Sequence, residues 1–216
     1  MSVLRLHQVV FGLGQGVLGA SDNRMGLWTQ GCSLPKCRGC TSMHTWSPTG
    51  GRLVAIASLL KLVGTQACPP QGLTVSGGEP TDQAAGLTAF IAGFRQRLPG
   101  AEVVLYTGLP WIRLTQRFPD LVALLDVAVA GPYVRTRAAT ALAGSSNQKV
   151  VLLTPLARRL YEGWQDWPRH RLQVGVVGGN QLLTLGIPDT SGMALAARQV
   201  DAVAVSWDKG AGEKRS

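Results

Sequence analysis

Three cysteines stand within nine residues, as Cys32-Ser-Leu-Pro-Lys-Cys37-Arg-Gly-Cys40, so any fold of this chain must present them from one loop. Only Cys68, the fourth cysteine, lies elsewhere. The N-terminal stretch MSVLRLHQVVFGLGQG lacks the apolar block and small-residue cleavage site of a secretory signal. A cytoplasmic setting is therefore expected, and disulfides are not. A tight thiol cluster in such a chain reads as metal binding or redox chemistry. Thiolates hold iron–sulfur clusters, and a C-x4-C-x2-C spacing lets one loop wrap three corners of a cubane. Three ligands leave one iron open to a substrate or cofactor. Cys3His zinc, with nearby His44 as the fourth ligand, is the competing reading of the cysteines alone. Cys68 is available as a fourth ligand, but a lone cysteine reads more readily as a buried small apolar residue.

The pattern around the cysteines alternates strands and helices. Val3–Val10 and Met25–Gln30 read as strands, separated by a glycine-rich loop from Phe11 to Arg24. The cysteine loop runs to about Gly51, and the apolar stretch Leu53–Val63 reads as a helix. A short strand from Gly72 to Val75 stops at Ser76-Gly77-Gly78, and Asp82 is placed to cap a helix running to about Leu98. Glu102–Tyr106, Asp126–Ala130 and Gln148–Leu153 read as further strands. Helices are expected over Pro110–Arg117, with proline in its first turn, and, as a short one, over Pro155–Gly163. Leu172–Val177 and Gln181–Leu185 flank Gly178-Gly179-Asn180 as a hairpin. A last helix is expected over Ser191–Arg198, and the basic residues 206–216 read as a disordered tail on a single domain spanning 1–205.

Repeated strand–helix units with apolar strands imply an α/β fold with a parallel sheet covered by helices. Such sheets place ligands at the C-terminal ends of their strands. The cysteine loop, the Ser76–Pro80 segment and Thr107-Gly108 each follow a strand, so all three should meet along one edge. Gly77-Gly78-Glu79-Pro80 is by itself a turn signal. Placed one unit after a thiol loop it gains meaning: glycines allow close backbone approach, and a carboxylate at a strand end can accept from an ammonium group.

The order of cysteine trio and then GGEP resembles the radical S-adenosylmethionine superfamily. WTQGCS at Trp28–Ser33, CRGC at Cys37–Cys40 and HTW at His44–Trp46 narrow the likeness to the small glycyl-radical-enzyme activases, the anaerobic ribonucleotide reductase activating group among them. SGGEP at Ser76–Pro80, YTG at Tyr106–Gly108, DVAVAGPYV at Asp126–Val134 and GSSNQ at Gly144–Gln148 continue it in order. The resemblance spans about Met25 to Leu153, with a weaker echo at Gly186-Ile187-Pro188. It implies a partial (β/α) barrel of radical S-adenosylmethionine type, with a core of about residues 25–190. Cys32, Cys37 and Cys40 would then carry a [4Fe-4S] cluster. Ser76, Gly77, Gly78, Glu79, Thr107 and Asn147 would form the pocket for S-adenosyl-L-methionine, and Trp46 would cover the cluster. The implied activity is reductive cleavage to a 5′-deoxyadenosyl radical that abstracts hydrogen. The substrate would be a glycine of a partner glycyl radical enzyme, or alternatively a peptide or small metabolite, with flavodoxin or ferredoxin as reductant. Two departures stand out. The family separates its first two cysteines by three residues where this chain has four, and Ala130 occupies a position that is often acidic.

The remaining features constrain partners. The net charge of +9 is spread rather than gathered in one tract, and no nucleic-acid-binding motif accompanies it. An anionic substrate, an acidic protein partner or simple solubility accounts for it about as well. His7, His44 and His170 are widely spaced, and no Ser/His/Asp or paired-carboxylate set appears. Hydrogen abstraction by a cofactor-derived radical requires none, since the cofactor carries the hard chemistry. A zinc or iron–sulfur binding module without activity is the alternative from a different class.

Overall fold

Seven strands form one open sheet in the computed structural model, which describes residues 2–168, 172–177 and 181–186. In chain order they are β1 (Val3–Leu13), β2 (Arg24–Thr29), β3 (Arg52–Ala55), β4 (Gly72–Gly77), β5 (Glu102–Thr107), β6 (Val127–Ala130) and β7 (Lys149–Leu152). The spatial order is β3-β1-β2-β4-β5-β6-β7. The four central strands, β2, β4, β5 and β6, are parallel. The outer strands β1, β3 and β7 are antiparallel to their neighbours. The fold is thus α/β, but the sheet is mixed rather than wholly parallel and does not close on itself. A separate hairpin pairs β8 (Leu172–Val177) with β9 (Gln181–Gly186), as the sequence pattern predicts.

Side-chain parity along the central strands divides the sheet into two faces. Leu27, Val75, Leu105 and Ala128 point into the main core. Four helices supply its other half: α1 (Ile56–Gly64), α2 (Ala84–Arg97), α3 (Trp111–Arg117) and α4 (Pro119–Val122). Leu87, Phe90, Ile91 and Phe94 of α2 are fully buried there. Each contributes roughly 1.5–3 kcal/mol by leaving water. The opposite face carries Val104, Val127, Trp28 and Tyr106, and is covered by α5 (Pro155–Leu160), by residues of the 14–23 loop and by Leu185 of β9. A buried Arg24–Glu102 ion pair joins the N-terminal ends of β2 and β5 on this face. Glu102 also accepts the N–H groups of Ala20 and Ser21, which ties the 14–23 loop to the sheet.

Several local expectations are corrected. The apolar stretch from Leu53 begins as the edge strand β3, and helix starts only at Ile56. β1 and β4 run three and two residues further than expected, to Leu13 and Gly77. Pro110 caps α3 in extended conformation rather than lying in its first turn. The cap near α2 is Glu79, not Asp82: the Glu79 side chain accepts the Thr81 N–H at the start of a 3-10 turn, Pro80–Gln83, that leads into α2. The expected helix over Ser191–Arg198 and the tail 206–216 lie outside the described residues. Among the described residues no helix is long and apolar enough to cross a membrane.

Candidate metal centre

The parallel strands β2, β4 and β5 end side by side, and the segments that leave them converge on one cavity of about 540 Å³. Cys32, Cys37 and Cys40 all line it. So do Ser76 and Gly77 at the end of β4 with Gly78 and Glu79 beyond it, and Thr107 at the end of β5 with Gly108 beyond it. The meeting of three strand-end segments expected from the sequence is therefore present. Cys68 is exposed and does not line the cavity.

The cysteine loop is fixed at its base. Gly31 donates its N–H to Thr45 O at 2.8 Å, and Cys32 donates to Trp46 O at 3.3 Å. The buried Gln30 side chain reaches under the same turn, its Nε2 donating to Ser47 O at 2.9 Å and His44 O at 3.3 Å. Further along, Cys40 N donates to Cys37 O at 3.2 Å, closing the Cys37–Cys40 segment into a turn around Gly39, whose φ is +77°. Lys36 folds back so that its Nζ donates to Cys32 O and lies 5.4 Å from the Trp46 ring centroid. Trp46 lines the cavity.

The GGEP turn is locked against this base. Gly77 has φ +117°, and a Cβ there would lie 2.4 Å from the Thr29 backbone. A Cβ on Gly78 would lie 1.9 Å from Gly31 O. These glycines thus let the turn approach the start of the cysteine loop. Two bonds seal the contact, Gly78 N to Thr29 O at 3.0 Å and Glu79 N to Gly31 O at 2.7 Å.

Glu79 is 1 % exposed. Its Oε1 accepts from Thr81 N at 3.0 Å, Thr81 Oγ1 at 2.7 Å and Thr107 Oγ1 at 2.7 Å. Its Oε2 accepts from Gly108 N alone, at 2.8 Å. Among the described residues no Lys or Arg pairs with it. Every one of these partners donates to it. Oε2 keeps acceptor capacity for one more donor.

Two other positions differ from expectation. Asn147 does not line the cavity; it is exposed, and its Nδ2 donates to Pro132 O at 2.8 Å. The neighbouring Gln148 lines the cavity instead, held by Nε2 donating to Gly131 O and Oε1 accepting from Ser145 N. The sequence reading also missed Trp28, Tyr106 and Tyr133 as wall residues. Strand parity carried that signal for the first two, since Trp28 and Tyr106 alternate with the core residues Leu27 and Leu105.

Burial pushes the Cys32 thiol above the ordinary value, with a nearby backbone N–H and Lys36 acting the other way. His44 also lines the cavity, its ring centroid 4.5 Å from that of His7. Burial, and then His7, hold it below the usual imidazole range. Among the described residues no three Cys, His, Asp or Glu groups stand together closely enough to hold a metal ion as they are. The donor set nevertheless suits a cluster: three half-buried thiols outside any disulfide, on one loop, facing one cavity.

The family model described as "4Fe-4S single cluster domain" matches residues 14–151, well over half of the chain, with the cysteine loop inside the match. No curated protein matches the sequence.

Proposed function

The chain belongs to the 4Fe-4S single cluster domain family, and from that premise we propose that it is a radical S-adenosylmethionine enzyme with Cys32, Cys37 and Cys40 as the cluster ligands. The observation that carries this reading is the shared cavity. Three thiols, a buried carboxylate and the end of β5 all face it. A cluster held by three thiolates supplies an open iron and a low-potential electron for reductive cleavage of S-adenosyl-L-methionine to a 5′-deoxyadenosyl radical.

The chain's own residues have distinct tasks in this reading. The Glu79 Oε2 atom accepts from the methionine ammonium, its carboxylate oriented beforehand by Thr81, Thr107 and Gly108. Ser76 and Gln148 border the pocket, with Gln148 in the role first given to Asn147. Trp28, Tyr106 and Trp46 supply aromatic walls that exclude water from a reactive radical. Alignment and exclusion of water are the protein's share of such a reaction.

The hydrogen donor in this proposal is a glycine of a partner glycyl radical enzyme, and the reductant is a flavodoxin or ferredoxin. The likeness of WTQGCS, CRGC and HTW to the activases supports the first. The collar of the cavity supports a negatively charged visitor of either kind. Lys36, Arg38, Arg135 and Arg137 are exposed on its two loops, and no Asp or Glu occurs in 23–78 or 127–161. Iron and sulfide analysis of anaerobically reconstituted protein, followed by an assay for 5′-deoxyadenosine with dithionite, tests the reading. One zinc per chain without sulfide would contradict it.

A further inference from the structure

Asp82 does not cap α2 as its position suggests. Its carboxylate spans from the GGEP turn to the cysteine loop. Oδ2 accepts the Ser33 N–H at 2.7 Å, and Oδ1 accepts the Ser33 hydroxyl at 2.6 Å. Both are charge-assisted bonds to the residue that directly follows Cys32. The turn that bears Asp82 is itself rigid. Glu79 caps it, Pro80 and Thr81 are buried within it, and Asp82 N donates to Glu79 O at 3.1 Å. Ser33 is therefore tied to a fixed element on the far side of the sheet edge, 49 positions away in sequence.

We infer that Asp82 is a positioning residue for the cysteine loop: by holding both donors of Ser33 it fixes where Cys32 stands relative to the GGEP turn. The inference rests on the reading above for the ligand role of Cys32. It has two separable parts. The first is geometric: with Asp82 removed, residues 33–36 lose their tie to the turn and the loop opens more often. The second is electrostatic. A Ser33 N–H bonded to Asp82 is withheld from the sulfurs of a group held by Cys32, and the carboxylate adds negative charge beside that thiolate. Hydrogen bonds to sulfur and local charge both set cluster potentials. Loss of Asp82 frees an amide donor and removes a negative charge, and both changes move the potential upward.

Asp82 is exposed, so substituting it leaves the core intact. Amide exchange in the full apo chain tests the geometric part without any cluster. Asp82→Ala should exchange about ten-fold faster at the Ser33 amide than the wild type, as expected for loss of a charge-assisted bond. Asp82→Asn, which keeps an oxygen acceptor, should stay close to the wild type. Potentiometry of the reconstituted full chain, followed by electron paramagnetic resonance, tests the second part. Both variants should have a more positive midpoint than the wild type. Unchanged exchange in Asp82→Ala overturns the positioning role, whatever the thiols bind. Faster exchange with an unchanged midpoint in both variants overturns the electrostatic part.

Discussion

Glu79 and Thr107 are joined by a buried 2.7 Å hydrogen bond that ties the turn after β4 to the end of β5. The Thr107 hydroxyl is in turn the acceptor for Leu109 N at 3.1 Å, so the bond also shapes the exit from β5. The carboxylate assigned to cofactor binding is thus also a structural pin. Substitutions at this residue have to separate the two functions.

Glu79→Ala leaves the donors of Thr81, Thr107 and Gly108 without their acceptor. Buried unsatisfied donors cost about 1–3 kcal/mol each, and partial relaxation limits the total. The expected loss is about 2–4 kcal/mol in urea denaturation of the apo chain. Glu79→Gln keeps one oxygen acceptor and should lose less stability than Glu79→Ala. It should still bind S-adenosyl-L-methionine more weakly than the wild type, because the negative charge is gone. Equal affinity for the cofactor in Glu79→Gln and wild type would contradict the ammonium contact.

Gly78→Ala forces a Cβ to within 1.9 Å of Gly31 O unless the turn moves. Backbone on both sides leaves no flexible side chain to yield. A loss of at least about 2 kcal/mol is expected, together with poor iron incorporation, because the displaced turn carries Asp82 and Glu79 with it. Gly64→Ala is the control. A Cβ there meets nothing within 4 Å, and the residue ends α1. It should be neutral or stabilise by up to about 1 kcal/mol. Equal thermal denaturation midpoints for the two variants would contradict the close approach of turn and loop.

Tyr106 and Tyr161 predict an alkaline limit to stability. Burial pushes both phenols above their ordinary value, opposed in part by Arg24. Tyr106 donates to Leu142 O at 2.9 Å, and Tyr161 accepts the Ala20 N–H at 3.0 Å. A folded-state value raised above the unfolded one gives stability that is fully present below the unfolded pKa of about 10 and falls as pH rises beyond it. The urea midpoint should fall between pH 9 and pH 11, and fall less in Tyr106→Phe. A midpoint that stays constant over that range would contradict the assignment.

The sheet edge that gathers the site was legible because each motif directly follows an apolar strand. Met25–Gln30, Gly72–Val75 and Glu102–Tyr106 all appear as strands with small shifts at their ends. Of the antiparallel outer strands, β1 and β7 were legible and β3 was not. Strand β3 and helix α1 form one continuous apolar stretch, and nothing between Ala55 and Ile56 marks the change. Asp82 shows a deeper limit. Local pattern makes it a helix cap, but Ser33, brought close only by the fold, takes its carboxylate. Asn147 and Gln148 illustrate the same point at the cavity wall. Both are amides in one short motif, and only the path of the chain beyond Gly131 decides which one faces inward.

Cys68 offers a simple check on the ligand set. It is exposed, with no place on the cavity wall. Cys68→Ala should retain the wild-type iron and sulfide content after anaerobic reconstitution. Cys32→Ala, Cys37→Ala and Cys40→Ala should each lose most of it, since two thiolates hold a cubane poorly. A loss in Cys68→Ala equal to that in the three loop variants would make it a fourth ligand and close the open iron.

The most direct test of the central claim is chromatographic measurement of 5′-deoxyadenosine formed from S-adenosyl-L-methionine by the anaerobically reconstituted protein with dithionite. The wild type should form product and Cys37→Ala none. A wild-type protein carrying its full iron and sulfide yet forming no product, or equal product from both proteins, would contradict it.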